Sequence, residues 1–240
     1  MVPEISHHPL HRADGSASYA NNLYTILASV NGPIEVQRRD DLPEEAAIEV
    51  NIRPAAGVGG PRERWLESVV ASVLRSILLV QLHPRTSVQV TLQLTKTPAL
   101  RMQGAVRDVG VLPGLVNAAF LALVDGGLPL DCSVVATLFT VTDSGVCEEE
   151  PGEKQLVGCK SVHAMAYSHR GELLLNESAG RLEWSEWEGV AERAEKTCLA
   201  AMASATGDEE MAGGVVEETP WLRRELEERA RVAVAWRDAT

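Results

Sequence analysis

Apolar and polar positions along the chain recur with two periods, which predict strands alternating with helices. Segments rich in alternating apolar and β-branched residues are typical of strands. Four such segments are Tyr24–Val36, Ala46–Pro54, Thr86–Leu94 and Ser133–Thr142. The stretch Ser161–Ser178 has the same character and is interrupted by Arg170-Gly171. It therefore predicts a hairpin that turns at this dipeptide.

Apolar residues at helical spacing predict four helices. The first begins at Pro61, in "PRERWLESVVASVLRSILLV". The second is expected over 111–126, after a loop at Lys96–Arg107, and ends at the glycine pair 126–127. Two more are expected at Ser185–Thr206 and Thr219–Arg237. This order predicts a mixed α/β fold, with a flexible N-terminus over 1–11 and one domain over 12–240.

The charge of the chain is concentrated in its C-terminal half. Residues 1–120 hold 11 Lys/Arg and 11 Asp/Glu, whereas residues 121–240 hold 11 and 23, which gives the whole net charge of −12. A protein that binds nucleic acid by itself usually carries a basic face. The charge therefore predicts that any RNA contact is local or is shared with partner subunits.

Cysteine spacing and apolar runs exclude several other classes. The four cysteines form no CxxC pair and no zinc-type spacing, so reduced thiols and no metal site are expected. No apolar run approaches the roughly 20 residues that span a bilayer, and the first residues have no signal-peptide core. We therefore expect an intracellular protein that makes no membrane contact and needs no cofactor. His7, His8 and His11 fall in the predicted loose terminus and are interpreted as polar residues there.

Short motifs leave a few candidates for chemistry. The common nucleotide-binding and hydrolase signatures are absent, and "GVGGP" lacks the Lys and Ser/Thr of a phosphate loop. His83 is interpreted as a turn histidine. Arg62 and Arg64, in "RERW", either offer guanidinium groups to RNA phosphates or form a solvated first turn. Trp184, Trp187 and Trp221 either stack on bases or pack in a core or interface.

Five segments, taken in order, resemble the ribonuclease PH family. The first, "RADGSASYANNLYTILASVNGPIEV", contains Arg12, Asp14, Gly15 and Ser16 and ends at a Gly-Pro pair. "IEVNIRP", the Arg-Glu-Arg helix start, "LHPRTSVQVTLQL" and "LVNAAFLALVDGGLPL" follow with family spacing. The resemblance covers residues 12 to about 142, and within the family it is strongest to ring subunits of the eukaryotic RNA exosome.

This resemblance implies a ribonuclease PH fold, related to the ribosomal protein S5 domain 2-like architecture, with mixed sheets packed against helices. It also implies a six-membered ring of related subunits, capped by RNA-binding proteins, through which RNA passes to a separate nuclease. Ring contacts would then involve the regions Asn31–Arg53 and His83–Leu94. The resemblance also implies that the protein is located in the nucleus, with the nucleolus, and in the cytoplasm.

The phosphate site of the active family members is degenerate in this sequence. Those members bind inorganic phosphate with a Gly-(Thr/Ser)-Arg segment at the start of the second helix. The corresponding region falls on Asp108, Val109, Gly110, Val111 and Leu112. Val111 replaces the hydroxyl and Leu112 replaces the guanidinium, so neither side chain can donate a hydrogen bond to a dianion.

The acidic pair of the active members is also missing. No aspartate occurs between Asp143 and Asp208, and the register places Lys154 and Lys160 at the two positions. The sequence therefore predicts a non-catalytic ring subunit, with Arg62, Arg64 and Arg107 as RNA contacts. Two alternatives remain: an active exoribonuclease that uses the glutamates of 148–153, and a homodimeric RNA-binding module of the same fold. The Lys96–Arg107 loop is also expected to be longer than in the family.

Overall fold

A computed structural model describes residues 3–36, 42–202 and 220–237 of the chain. The first half forms a five-stranded sheet with the order β1-β2-β3-β5-β4. Only β4 and β5 pair in parallel, because helix α1 connects them as a crossover. The strands are β1 (Glu4–His7), β2 (Gly15–Ala20), β3 (Thr25–Glu35), β4 (Ala47–Arg53) and β5 (Thr86–Lys96), and α1 spans Pro61–Ile77.

The second half forms a four-stranded antiparallel sheet with the order β7-β6-β8-β9. Every residue of the two central strands is buried, which requires cover on both faces of this sheet. Helices α2 and α4 both pack against these two strands. The elements are α2 (Gly104–Asp125), β6 (Val134–Val141), β7 (Cys147–Glu149), α3 (Glu153–Val157), β8 (Ser161–Ser168), β9 (Leu173–Gly180), α4 (Trp184–Met202) and α5 (Trp221–Val234).

Helix α2 joins the two sheets. It packs against β2 and β3 of the first sheet and against β6 and β8 of the second. Residues 109–123 are all buried, as expected for a helix that is apolar all round. Buried residues from both sheets and from α1, α2 and α4 belong to one core cluster. The predicted mixed α/β fold, with sheets packed against helices, is confirmed.

The structure corrects the predicted boundaries around α2. The helix begins at Gly104 rather than at residue 111, so the connecting loop covers 97–103 instead of Lys96–Arg107. Pro113 therefore lies inside the helix, where it removes the N–H that would bond to the Val109 carbonyl. With 22 residues, α2 is also long and apolar enough to span a bilayer, against the sequence prediction. Its most apolar window is 89% buried, however, which identifies it as the core helix.

The N-terminus also differs from the prediction of a flexible segment over 1–11. Residues 4–7 form β1, which pairs with β2 along its whole length. His8 Nδ1 donates a hydrogen bond to Asp125 Oδ2 at 3.0 Å, which anchors the segment to the end of α2. The predicted hairpin at Ser161–Ser178 is confirmed as β8 and β9, with Gly171 at φ +80 in the turn. Parts of the two predicted C-terminal helices, 203–206 and Thr219, lie outside the described residues.

Candidate functional site

A cleft of about 540 Å³ opens between the start of α1 and the start of α2. One wall is the 97–103 loop, and another is the 54–56 segment that follows β4. Three arginines line it, namely Arg62, Arg101 and Arg107. Because the guanidinium group is always charged and presents several N–H donors, such a cleft can bind an anion.

Asp108 links two of the predicted RNA contacts. Arg62 Nε forms an ion pair with Asp108 Oδ1, and Arg107 Nε lies 3.5 Å from the same oxygen. Arg62 Nη1 also lies 3.4 Å from Glu63 Oε1. The two arginines therefore share acidic neighbours, and each has donors left over for an anion in the cleft.

The structure separates Arg64 from the other two candidates. Arg64 follows Arg62 by two positions on α1, which turns its side chain to roughly the opposite face of the helix. It is exposed and is not part of the cleft wall. Arg101 occupies the third cationic position instead. The sequence analysis missed Arg101, because nothing in its loop indicated a site until α1 and α2 were placed side by side.

Two buried polar groups support the cleft. Burial raises the pKa of Tyr24 to about 12, so the phenol stays neutral, and its hydroxyl donates to the Arg107 carbonyl at 3.3 Å. Burial opposes ionisation of Glu63, but the Gly60 amide at 2.7 Å and the Arg62 guanidinium lower the pKa of this carboxyl below its usual range. Glu63 thereby anchors the first turn of α1, from which Arg62 projects.

The degenerate phosphate positions lie inside α2 rather than at its start. Val111 and Leu112 both have 0% exposure and belong to the core. A Cβ at Gly110 would lie 3.7 Å from the Tyr24 hydroxyl, so that position is packed as well. Asp108 alone of the five named positions pairs with the cleft arginines. The side chains at 109, 111 and 112 are buried hydrocarbon.

The glutamates of 148–153 do not converge on one point. Glu149 accepts a hydrogen bond from Thr197, whereas Glu153 accepts from the amides of Ala99 and Leu100 beside the cleft. Burial, reinforced by Glu149, raises the pKa of Glu150 above its usual range.

The two lysines at the acidic positions have ordinary structural roles. Lys160 Nζ lies 2.7 and 2.9 Å from the two oxygens of Glu186, and the pair holds the start of α4 against the second sheet. Lys154 lies in the short helix α3. A protonated lysine has no lone pair on its nitrogen, so neither residue can replace a carboxylate as a metal ligand at neutral pH.

The remaining sequence candidates fall outside the cleft. His83 follows the 3₁₀ turn Val80–Leu82, and its carbonyl accepts from the Thr86 hydroxyl at 2.7 Å, as expected for a turn histidine. The four cysteines are free. Within the described ranges, no three His, Cys, Asp or Glu side chains come together in a way that could hold a metal ion.

The family follows from comparison with known proteins. Residues 3–129 match the ribonuclease PH description "3' exoribonuclease family, domain 1", which covers more than half of the chain. The chain belongs to the ribonuclease PH family.

Among named proteins, the chain is similar to RRP46 components of the exosome complex. It is 30% identical to "Exosome complex component RRP46" of Saccharomyces cerevisiae over 79% of this chain and 86% of the relative. It is 26% identical to the Schizosaccharomyces pombe component rrp46, over 77% and 79%. It is 34% identical to "Exosome complex exonuclease RRP46 homolog" of Oryza sativa, over 59% and 58%. The predicted resemblance to RRP46-type subunits is confirmed.

Solved structures agree with this assignment. The crystal structure of rice Rrp46 matches with a TM-score of 0.68 and 29% identity, covering 80% of this chain and 88% of that one. An Archaeoglobus fulgidus exosome with RNA bound to the active site matches with a TM-score of 0.64 and 16% identity, covering 81% and 84%. At that identity the second match establishes the fold alone.

Proposed function

We propose that this chain is a non-catalytic ring subunit of the RNA exosome core, with a structural and RNA-guiding role in 3'-to-5' RNA processing and turnover. Complete burial of Val111 and Leu112, where active family members use a hydroxyl and a guanidinium, carries this proposal. A dianion at that point would lose its hydration and gain no donor from these side chains. The similarity to RRP46 components supports the ring assignment.

The arginine cleft is the proposed contact surface for RNA in the assembled ring. Arg62, Arg101 and Arg107 line one opening and face an anion-sized space. Charge favours a local contact of this kind, because the net charge of −12 opposes tight binding by the isolated chain. Basic neighbouring subunits would supply the remaining attraction for the RNA backbone.

Exposed apolar residues around the start of β5, within the predicted ring regions and immediately before His83, support a subunit contact. Ile34 pairs with Ser87 in β5, and the Leu42 carbonyl accepts from the amide of Arg85 at 3.1 Å. Leu79 and Leu82 flank the adjacent turn, and all four apolar side chains are more than one-third exposed. Burial of this patch against neighbouring ribonuclease PH-like subunits would stabilise the ring.

The wider assignment follows from the same resemblance. RNA-binding cap proteins and an associated nuclease would complete the assembly. The complete assembly would act in rRNA maturation and RNA turnover. The nucleus, with the nucleolus, and the cytoplasm are the proposed compartments. Imaging of the tagged chain at its native level of expression tests the compartments independently of the biochemistry.

The native mass of the protein, purified from its own cells at low salt, tests the ring assignment. We expect a large assembly that contains several other ribonuclease PH-like subunits. The pure chain should release no nucleoside diphosphates from RNA in the presence of inorganic phosphate. A free monomer or homodimer in gentle extracts would contradict the ring assignment, and strong phosphorolysis abolished by a point mutation would contradict the non-catalytic one.

Charge reversal in the reconstituted ring tests the RNA contact. Arg62→Glu with Arg107→Glu should shorten the stretch of RNA that the ring protects from nuclease, without changing ring assembly. Arg64→Glu reverses one charge on the other side of α1, half the change of the double variant, and should protect RNA nearly as wild type does. Equal protection by all three rings would exclude the cleft as the contact.

An active exoribonuclease is the second candidate function. Glu150 is half-buried, burial raises its pKa above the usual range, and it is the glutamate of 148–153 that would serve as the general acid. Two plant relatives also carry "exonuclease" in their names. Glu150→Gln should then abolish RNA degradation by the pure chain, whereas Glu149→Gln should retain it. Absence of activity in wild type, or equal activity in both variants, would remove this candidate.

A further inference from the structure

Two tryptophans at the start of α4 form an exposed aromatic stack. The rings of Trp184 and Trp187 lie 5.1 Å apart with an interplanar angle of 26°. Trp187 packs against the core and its Nε1 donates to Asn176 Oδ1 on β9 at 3.4 Å. Trp184, in contrast, is 73% exposed. Stacking on Trp187 therefore fixes the orientation of the Trp184 ring, which is open to solvent.

A row of glutamates continues from Trp184 along the helix. Glu188, Glu192 and Glu195 follow Trp184 at intervals of four, four and three residues, which places all four side chains on one side of α4. All three glutamates are exposed, and none has an ion pair or hydrogen bond within the described ranges. We call Trp184 and these three glutamates the α4 stripe.

The α4 stripe runs beside an unpaired sheet edge. Strand β9 pairs with β8 and with no other described strand, so its outer edge is open. Trp187 contacts Asn176 on this strand, and Glu195 Oε1 lies 3.4 Å from the position of a Cβ at Gly171 in the preceding turn. The stripe and the strand edge therefore border the same surface.

Few cations neutralise the stripe from within the chain. Residues 183–196 carry five glutamates and only Arg193 and Lys196 as cations. Arg193 donates to the Cys147 carbonyl at 3.3 Å, towards β7. Lys160 and Glu186 neutralise each other beside the helix start. Lys196, four residues after Glu192, lies at the end of the stripe and offsets one of its three carboxylates, so the stripe retains a net negative charge. Like-charged glutamates at this spacing repel one another until a cation lies between them.

We propose that the α4 stripe is a docking surface for a basic polypeptide segment of a partner protein, with an arginine or lysine over Trp184. An indole face attracts a cation through its quadrupole, and the three carboxylates attract further basic residues of the same segment. A cation–π contact of this kind is present within the chain at Trp236, where the Arg237 guanidinium carbon lies 5.4 Å from the ring centre. The carboxylates that attract a basic peptide would repel the phosphates of a nucleic acid.

Binding of a labelled dodecapeptide of alternating arginine and serine to the full chain, by fluorescence anisotropy at 150 mM salt, tests the proposal. Trp184→Ala should weaken binding about threefold, as expected for an exposed cation–π contact. The triple substitution Glu188→Gln, Glu192→Gln, Glu195→Gln should weaken it about tenfold. Both variants should keep the wild-type circular dichroism spectrum, because the side chains are exposed.

Matched controls separate this surface from general attraction to an acidic protein. Trp236→Ala removes another exposed tryptophan, and Glu4→Gln with Glu35→Gln and Glu228→Gln removes three other exposed carboxylates. Less than twofold change in both controls supports the proposal. Equal losses in the two triple variants would overturn it, as would no measurable peptide binding to wild type. Tighter binding of a uridine dodecamer, lost in Trp184→Ala, would assign the stack to RNA instead.

Discussion

At the residue scale, the motif that reveals the family holds backbone segments together. Asp14 Oδ2 accepts a hydrogen bond from the Gly32 amide at 2.8 Å, which ties the start of β2 to β3. Ser16 donates its amide to Asp125 Oδ2 at 2.9 Å. Gly15 lies against the last turn of α2, where its lack of a Cβ permits close backbone approach. These residues define the fold, and none of them lines the arginine cleft.

Gly15→Ala should destabilise the protein by more than about 2 kcal/mol, because the new Cβ would meet backbone that cannot move cheaply. It would lie 2.3 Å from the Ala122 carbonyl oxygen and 2.4 Å from the Gly126 nitrogen. Urea unfolding measures the change. Gly189→Ala is the control, since nothing lies within 4 Å of that Cβ, and the helix interior should gain about 0.5–1 kcal/mol. Unchanged stability of Gly15→Ala would contradict the close packing.

His163 predicts a second residue-scale effect, on pH dependence. It is fully buried, its Nε2 lies 2.9 Å from Ser161 Oγ and its Nδ1 lies 2.8 Å from Ser178 Oγ. Burial, partly offset by Glu186, lowers the pKa of His163 to about 4 from 6.5. The unfolded chain therefore takes up this proton first as the pH falls, so stability is lost between pH 6.5 and about 4.

Between pH 7 and pH 5 this histidine should cost roughly 2 kcal/mol of unfolding free energy. Urea titrations at the two pH values measure the loss. His163→Gln should show a shallower pH dependence than wild type, whatever its absolute stability. His11→Gln, at an exposed position, should keep the wild-type dependence. The same slope in all three proteins would show that His163 does not titrate as described.

At the element scale, the start of α2 decides what the degenerate site can do. The sequence signal for a helix begins with the apolar run at 111, but the structure extends the helix back to Gly104. The extension places positions 108–112 inside the helix rather than at its start. Arg107, in the first turn of the helix, lines the cleft together with Arg101. Helix propensity and packing against both sheets outweigh the weak loop signal of the glycine and proline in this stretch.

Leu112→Arg tests this description of α2. Because the side chain at 112 has 0% exposure and no acidic partner is described there, an arginine should cost on the order of 3–5 kcal/mol and restore no phosphorolysis. Thermal unfolding measures the loss, and an RNA phosphorolysis assay checks the activity. Leu112→Met, which conserves volume and polarity, should cost less than about 1.5 kcal/mol. A stable Leu112→Arg protein with phosphorolytic activity would show that position 112 is open to the cleft.

At the scale of the whole molecule, Asp125 joins distant parts of the chain at the end of α2. Its side chain has 0% exposure and contacts His8 at 3.0 Å and Arg229 Nε on α5 at 2.8 Å. The adjacent His7 Nε2 lies 3.3 Å from Glu225 Oε2. The N-terminal strand and the C-terminal helix therefore meet at one buried carboxylate.

Asp125→Asn should lower the free energy of unfolding by about 3–5 kcal/mol, because it leaves Arg229 without its buried counter-charge. It should also speed proteolytic cleavage within α5 (Trp221–Val234). Denaturant unfolding and limited proteolysis followed by mass spectrometry measure both effects. Asp131→Asn, which removes an exposed partner of Arg170, should cost less than about 1 kcal/mol. Equal effects of the two substitutions would show that the Asp125 network does not hold the termini.

Sequence reasoning recovered most elements of the fold and part of the site. Strand and helix periods located the elements, because apolar periodicity depends on local geometry alone. The resemblance located Arg62, Arg107 and the degenerate positions. Arg101 and the separation of Arg64 were missed, because both depend on how α1 meets α2. The N-terminal strand was missed because its four residues, EISH, are too few to show a clear apolar alternation. Its stability comes from pairing with β2.

The sequence by itself determined the family, the mixed α/β class and the apolar character of positions 111 and 112, since these depend on residue identity and short-range spacing. Tertiary structure alone decided that these positions are buried, that three arginines share one cleft, and that Trp184 is exposed above a row of unpaired glutamates. Burial and juxtaposition arise from contacts between segments far apart in the chain. No local pattern encodes such contacts, because their free energy exists only once both segments are in place.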